Sequence, residues 1–380
     1  MLTGKERIAR ILQRQPVDRI GLFEVFWAET SKRWAAEGHY SDAGDENKGL
    51  GAEFKRLPQT VEDHFRLDLR RCPCLNMVAD LDFGEAVVEE TEDVKMIRNG
   101  NGALLRWHKK HSGAPEHVDF MVKDRSGWQE SIRGHLLNST DYVRRIDFDL
   151  YRRMKQKCQN ESLFLTVATN SVFECMHPVC GHENLLMGMA LDPEWVRDMC
   201  DVYVRVIIDL LEILFEKEGQ PDGMWFWEDM GFKEKPFMSP AMYRDLLFPA
   251  HRRLFDWAHS RRMPVIVHSC GFVEPLVPGL VEAGIDCLQP MEVKAGMDLL
   301  RLKKNFGDRI AFMGGLDVRT LIANDLDAVR AELEKKVPVA MEGSGYILQV
   351  DHSVPDQVDY DTYNYFVEKG LEIGTYGKTR

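Results

Sequence analysis

The sequence predicts an α/β fold, a (β/α)8 TIM barrel with an N-terminal β-hairpin excursion, and three observations carry that reading. From residue 141 onward, short apolar runs alternate with amphipathic helical stretches, the rhythm of a parallel sheet covered on both faces. Six such runs occur there, and two more strand-like segments near residues 20 and 69 bring the count to eight. No G-x-G-x-x-G turn follows an early strand and no Walker loop occurs anywhere, which removes the main support for a doubly wound open sheet.

The elements follow in order. Thr3 with Glu6 three residues on is a capping box, so the first helix is expected from Thr3 to Arg14, stopped by Pro16. DRIGLFEVF (18–26) is an apolar run ending near Glu24 and reads as the first strand; 27–66 reads as helix and loop; HFRLDLRRCPCL (64–75) holds the second strand. Residues 76–135 change texture, alternating polar and apolar around an Asn-Gly turn signal in VVEETEDVKMIRNGNGALLRWHKK, and read as a β-hairpin region inserted into a single barrel domain spanning 1–380. Helices at about 141–158, 192–218, 240–260, 273–283, 296–305 and 326–341 each precede a strand, at 162–170, 222–231, 264–271, 286–292, 309–317 and 345–355, and a last helix covers about 357–371.

Composition narrows the function. The 380 residues are 44% hydrophobic, enough for a large core, and carry a net charge of −12, which disfavours a nucleic-acid partner. No run of 18 apolar residues occurs, so no membrane span is expected. The opening MLTGKERIARILQRQPVDRI lacks the apolar centre of a signal peptide, so the expected compartment is the cytoplasm and the eight cysteines are expected to be reduced. HRRLFDWAHSRR (251–262) is a basic stretch expected on a solvated helix face.

In a barrel the chemistry sits where strands end. The polar residues collected there are Glu24, Asn170, Glu228 with Asp229, His268 with Cys270, Glu292, Asp317, and Asp351 with His352. Short acidic residues after strands also cap helices, as Asp317 is placed to do. His268 and Cys270 are the sharpest pair: side chains two apart on a strand share a face, and imidazole nitrogen and thiolate sulfur are zinc ligands. His352, ending QVDH, is the candidate third ligand; the fourth position falls to Glu228 or stays open for substrate. A buried cysteine beside a hydrogen-bonded histidine is the competing reading. Glu228 and Asp229 are the candidate catalytic carboxylates, and Glu24, Trp27, Asn170, Trp227, Glu292 and Asp317 the candidate substrate contacts. In WFWED (225–229), Trp225 and Trp227 share one side and Phe226 takes the other, so Trp227 could wall a ligand site while Trp225 and Phe226 fill core. Cys175 and Cys180 flank His177 in ECMHPVC, read as an incidental loop.

The opening TGKERIARILQRQPVDRI and the segment VHSCGFVEPLVPGLVEAGIDCLQPMEVKAGMDLLRLKKNFGDRIAFMGGLD resemble the uroporphyrinogen decarboxylase superfamily over nearly the whole chain. That resemblance implies a barrel with its site in a cleft at the strand ends, and one of two chemistries. Cofactor-free decarboxylases of carboxylated tetrapyrroles carry an arginine-bearing R-Q-A-G-R-type stretch near the N-terminus; here the region reads GLFEVFWAETSKRW. Cobamide-dependent methyltransferases carry H-x-C-G at the fifth strand and a cysteine at the eighth, binding zinc; HSCG (268–271) matches the first, and His352 or Asp351 stands at the second. The resemblance therefore implies a zinc-dependent methyltransferase moving a methyl group between a small molecule (a methyl ether, amine or thiol) and the cobalt of a corrinoid protein, with a decarboxylase as the alternative and a non-catalytic corrinoid- or tetrapyrrole-binding component as a third possibility. The chain has no D-x-H-x-x-G cobalamin motif, so the corrinoid is expected on a partner protein, and a homodimer is common in the resembled family.

Overall fold

The computed structural model describes residues 1–40, 59–109 and 115–377; the expectations made for 41–58 lie outside them. Eight parallel strands run in the order β1-β12-β11-β10-β9-β8-β7-β2. They are β1 (Gly21–Leu22), β2 (Leu69–Cys72), β7 (Phe164–Asn170), β8 (Gly223–Trp227), β9 (Val265–Ser269), β10 (Cys287–Pro290), β11 (Ala311–Met313) and β12 (Tyr346–Leu348). The order follows the chain around the ring, as right-handed βαβ units require. The intervening β3 (Ala86–Glu90), β4 (Val94–Arg98), β5 (Ala103–His108) and β6 (Glu116–Phe120) form a separate antiparallel meander, larger than the expected hairpin. Its central turn is the Asn-Gly signal: the Asn99 side chain accepts from Asn101 N and Ala103 N, and Gly102 sits at φ +72°.

Alternation divides each barrel strand between two cores. Ile266, Trp225, Ala168, Leu69, Cys287, Met313 and Ile347 point inward with Phe23 and Phe164, whereas Val265, Val267, Phe226 and Leu288 point outward into the helix layer. The helix Gly4–Leu12 closes the floor of the barrel. Its capping box forms, with Glu6 N donating to Thr3 Oγ1 at 3.1 Å and Thr3 N to Glu6 Oε2 at 2.9 Å. Ile8, Ile11 and Leu12 bury fully against the lumen, each adding about 1.5–3 kcal/mol. Gly21 is the fit point: a Cβ there would stand 2.9 Å from both Ile347 Cγ1 and Ile8 Cδ1.

Two stretches depart from the sequence expectation. ECMHPVC is not a loop; it lies in a helix, Val172–Leu191, that is bent at Gly181 (φ 75°, ψ 157°). Phe120 of β6 presses there, within 2.4 Å of where a Cβ on Gly181 would lie, so the meander docks on the bend. Cys175 and Cys180 are buried core thiols, and His177 pairs with Glu174 at 3.0 Å. The expected helix 240–260 contains a π turn, Tyr243–Leu247, between Pro240–Met242 and Phe248–Ser260. All eight cysteines are free, and no described helix is long and apolar enough to cross a membrane.

Candidate metal centre

The inward parity of β9 that buries Ile266 also aims His268 at the mouth, and Cys270 continues the alternation one residue past the strand. Cys270 Sγ lies 3.3 Å from His268 Nε2, and Asp229 Oδ1, from the end of β8, lies 3.4 Å from the same nitrogen. Asp229, His268 and Cys270 each offer one donor atom within 4.8 Å of the others. Nitrogen, sulfur and oxygen at that spacing are a zinc-type donor set.

Neighbouring groups hold the three in place. His268 Nδ1 is bonded to Gln289 Oε1, and Gln289 Nε2 donates to Gln349 Oε1 at 3.0 Å. With the Gln289 amide so oriented, its oxygen accepts from Nδ1–H, which leaves the Nε2 lone pair directed at Asp229 and Cys270. Asp229 Oδ1 also accepts from Cys270 N at 2.8 Å, which ties the two loops together. Those loops meet backbone to backbone: a Cβ on Gly271 (φ +74°) would fall 2.4 Å from the Gly231 carbonyl carbon, and Phe272 N donates to Phe232 O at 2.8 Å. Glu292 fixes the same turn by accepting from Gly271 N at 2.7 Å, and pairs with Lys294 at 3.1 Å.

The electrostatics favour a cation. Burial pushes the Cys270 thiol well above its ordinary range, and Asp229 and Glu292 push it further. Burial likewise raises Asp229, against the pull of His268. Two groups whose anions burial disfavours are the groups a divalent ion would hold ionised.

The structure distributes the other expected site residues unevenly. His352 is not in the cluster; its ring lies 6.2 Å from that of Trp27, a half-exposed residue at the start of the helix Ala28–Ala36, and Asp229 stands as third donor in its place. Glu228 faces away from the lumen because residues 227 and 229 take the inward parity. Its Oε1 and Oε2 accept from Phe173 N and Glu174 N, both at 3.0 Å, capping the helix Val172–Leu191, and Oε1 meets His251 Nε2 at 2.5 Å. Glu228 thus lies in the helix layer, bonded to two backbone amides and to His251. His251, expected on a solvated face, is fully buried there, with Nδ1 3.0 Å from the Tyr243 hydroxyl. Glu24 is also walled in: Val25 N and Val350 N donate to it, and burial raises its pKa well above the carboxylate range. Asp317 caps the helix Val318–Ile322 and pairs with Arg319, the structural role foreseen as an alternative. Asp351 does similar work, accepting from Val293 N at 2.7 Å and Val318 N at 2.9 Å.

Trp227 and Asn170 do reach the lumen side, paired in register at the ends of β8 and β7. Trp225 fills the lumen and Phe226 packs outward on Phe255. Sequence reasoning missed Gln289, Gln349 and Arg71. Each has the inward parity of its strand, counted from Cys287, Ile347 and Leu69; parity was the signal available, and none belongs to a motif.

Fold and site together define a (β/α)8 barrel protein with a candidate metal centre at the strand ends. The uroporphyrinogen decarboxylase (URO-D) family model matches residues 144–371, and the chain belongs to that family. The methylated-thiol–coenzyme M methyltransferase of Methanosarcina mazei is 33% identical over 146 residues, 38% of this chain and 37% of that protein, so the match spans little more than a third of the relative's length. The solved structure of a methyltransferase from Methanosarcina mazei aligns over 98% of this chain and 99% of its own, with a TM-score of 0.68 at 16% identity, a likeness of fold.

Proposed function

We propose that this protein is a zinc-dependent methyltransferase that moves a methyl group between a heteroatom of a small molecule and the cobalt of a corrinoid carried by a partner protein. The observation that supports it most is the convergence of Asp229, His268 and Cys270 with a second-layer amide that leaves His268 Nε2 available. The methyltransferase relative supports the same reading.

His268, Cys270 and Asp229 would hold the ion, and Gln289 would keep the imidazole in the ligating tautomer. Zinc there supplies Lewis acidity, lowering the pKa of a thiol acceptor or polarising an ether or amine leaving group. The rest is positioning: Trp227 and Asn170 flank the mouth, and the Gly231–Gly271 contact fixes the two ligand-bearing loops at one separation. The corrinoid would be borrowed, since the chain lacks a cobalamin-binding motif of its own.

The deciding experiment is metal analysis of the purified, zinc-reconstituted protein, followed by loss of methyl from methylcobalamin in the presence of thiols. About one zinc per chain is expected in the wild type and below a tenth of that in His268→Ala and Cys270→Ser, with methyl transfer lost in parallel. A wild type that retains no zinc, or that releases carbon dioxide from a carboxylated tetrapyrrole without metal, would replace this reading with the lyase.

A further inference from the structure

We infer that the small molecule carries an anionic head, a carboxylate or sulfonate, held by the guanidinium of Arg71 while its reacting heteroatom faces the His268–Cys270–Asp229 cluster; this rests on the methyl-transfer reading above. Arg71 shares the inward parity of Leu69 on β2. Its guanidinium carbon lies 5.2 Å from the ring centre of Phe23, 4.9 Å from Trp225 and 5.6 Å from Trp227. Trp225 in turn lies 6.5 Å from the His268 ring, and Trp227 is in register with His268. The same two indoles thus border both the cation and the candidate metal ligand.

What marks Arg71 is the missing partner. Its Nε is buried without a hydrogen bond, and among the described residues no carboxylate, carbonyl or hydroxyl bonds to any of its nitrogens. Arg70 and Arg145 share an Nε without a hydrogen bond, but unlike Arg71 the other buried arginines have polar partners at their terminal nitrogens. Arg70 meets Glu62 at 3.2 Å and Asp63 at 2.8 Å, Arg7 meets Asp68 at 2.7 Å and Asp18 at 2.9 Å, and Arg145 donates to the carbonyls of Asn76, Val78 and Ala79. Glu62 and Glu24 act on Arg71 only through space, and burial outweighs them, bringing its pKa down to about 10, which leaves it charged at neutral pH. A partly desolvated cation with no counter-ion bonded to it among the described residues is costly, and ring faces offset only part of that cost. Ring faces accept no conventional hydrogen bond, so the N–H donors of the guanidinium remain without an acceptor from them, and their fork matches a planar or tetrahedral oxyanion. Arg71 is also only partly buried, so solvent reaches some of its side chain.

The test compares binding of 3-mercaptopropionate and 2-mercaptoethanesulfonate with that of uncharged 2-mercaptoethanol, by calorimetry on the zinc-loaded protein. The anionic thiols should bind wild type about 10- to 100-fold more tightly. Arg71→Gln should abolish the preference with zinc content unchanged, and Arg71→Lys should keep part of it. Equal binding of charged and neutral thiols by wild type, or a preference that survives in Arg71→Gln, would overturn the assignment. Propionate and ethanesulfonate are titrated against the metal-free protein as a second arm. If they bind wild type and not Arg71→Gln while no zinc is ever retained, the anion site stands and the methyl-transfer reading falls. Should the variants not fold, protection of Arg71 in the wild type from phenylglyoxal by propionate, mapped by mass spectrometry, decides; no protection would sink it.

Discussion

A neutral histidine ligates through one nitrogen while the other keeps the proton, and here Gln289 favours the tautomer with the proton on Nδ1. Its amide oxygen takes Nδ1–H of His268 because its own NH2 is taken by Gln349. Replacing Gln289 with Leu should lower zinc affinity about 10- to 100-fold, measured by competition with a chromophoric chelator, without changing the fold. Gln289→Glu, which keeps an acceptor, should stay within a few-fold of wild type; if both variants bind zinc as wild type does, Gln289 has no part in the site. At this scale the sequence was half legible. His268 and Cys270 were readable because spacing of two on a strand guarantees a shared face. The third donor was not, because strand parity says which residues look inward but not how far the lumen separates them. Asp229 extends β8, which is adjacent to β9, whereas His352 follows β12 and is occupied against Trp27.

Elements were more legible than contacts. Every barrel strand lay within its expected span, since parallel strands buried on both faces are short apolar runs and here they alternate with helical stretches. The helix Val172–Leu191 escaped because Pro178 and Gly181 break its pattern, and because its N-terminus is capped from elsewhere: Ser171 makes no side-chain cap bond, and Glu228 supplies the acceptor across more than fifty residues of chain. That capping gives Glu228 a measurable signature distinct from catalysis. Glu228→Ala strands two helix N–H groups and the buried His251, and should cost about 3–5 kcal/mol of stability in urea unfolding. Zinc stoichiometry in the folded variant should remain near one per chain. A variant that keeps full stability but loses methyl transfer would return Glu228 to the catalytic role expected from its position.

At the scale of the whole molecule, the ring must close between β1 and β2, and no ladder joins those two strands. Asp68 closes it. Its N–H donates to Leu22 O at 2.9 Å, its Oδ2 accepts from Leu22 N at 2.9 Å, and Arg7 and Arg19 clamp its carboxylate at 2.7 and 2.8 Å. None of this was legible, because the partners lie 46 to 61 residues away in sequence and arginine–aspartate pairs have no periodicity to betray them. The clamp reaches outward to Asp18, which shares Arg7. Burial acts to raise Asp18, but the Arg7 hydrogen bond and the Leu2 and Arg19 amides outweigh it and bring its pKa down to about 2. A carboxylate depressed in the folded state stabilises fully above its unfolded pKa, 3.8, and loses that contribution as pH falls toward the folded value. Since Asp18 is partly exposed, the contribution at pH 6 is on the order of 1 kcal/mol after solvent screening. Asp18→Asn should therefore be less stable than wild type by about that amount at pH 6 in urea unfolding, and the gap should shrink to roughly half by pH 3 as the carboxylate of the unfolded wild-type chain takes up its proton. A gap that stays constant with pH would mean that Asp18 acts through shape and not through charge, and the electrostatic account of the closure would fail at its outer member.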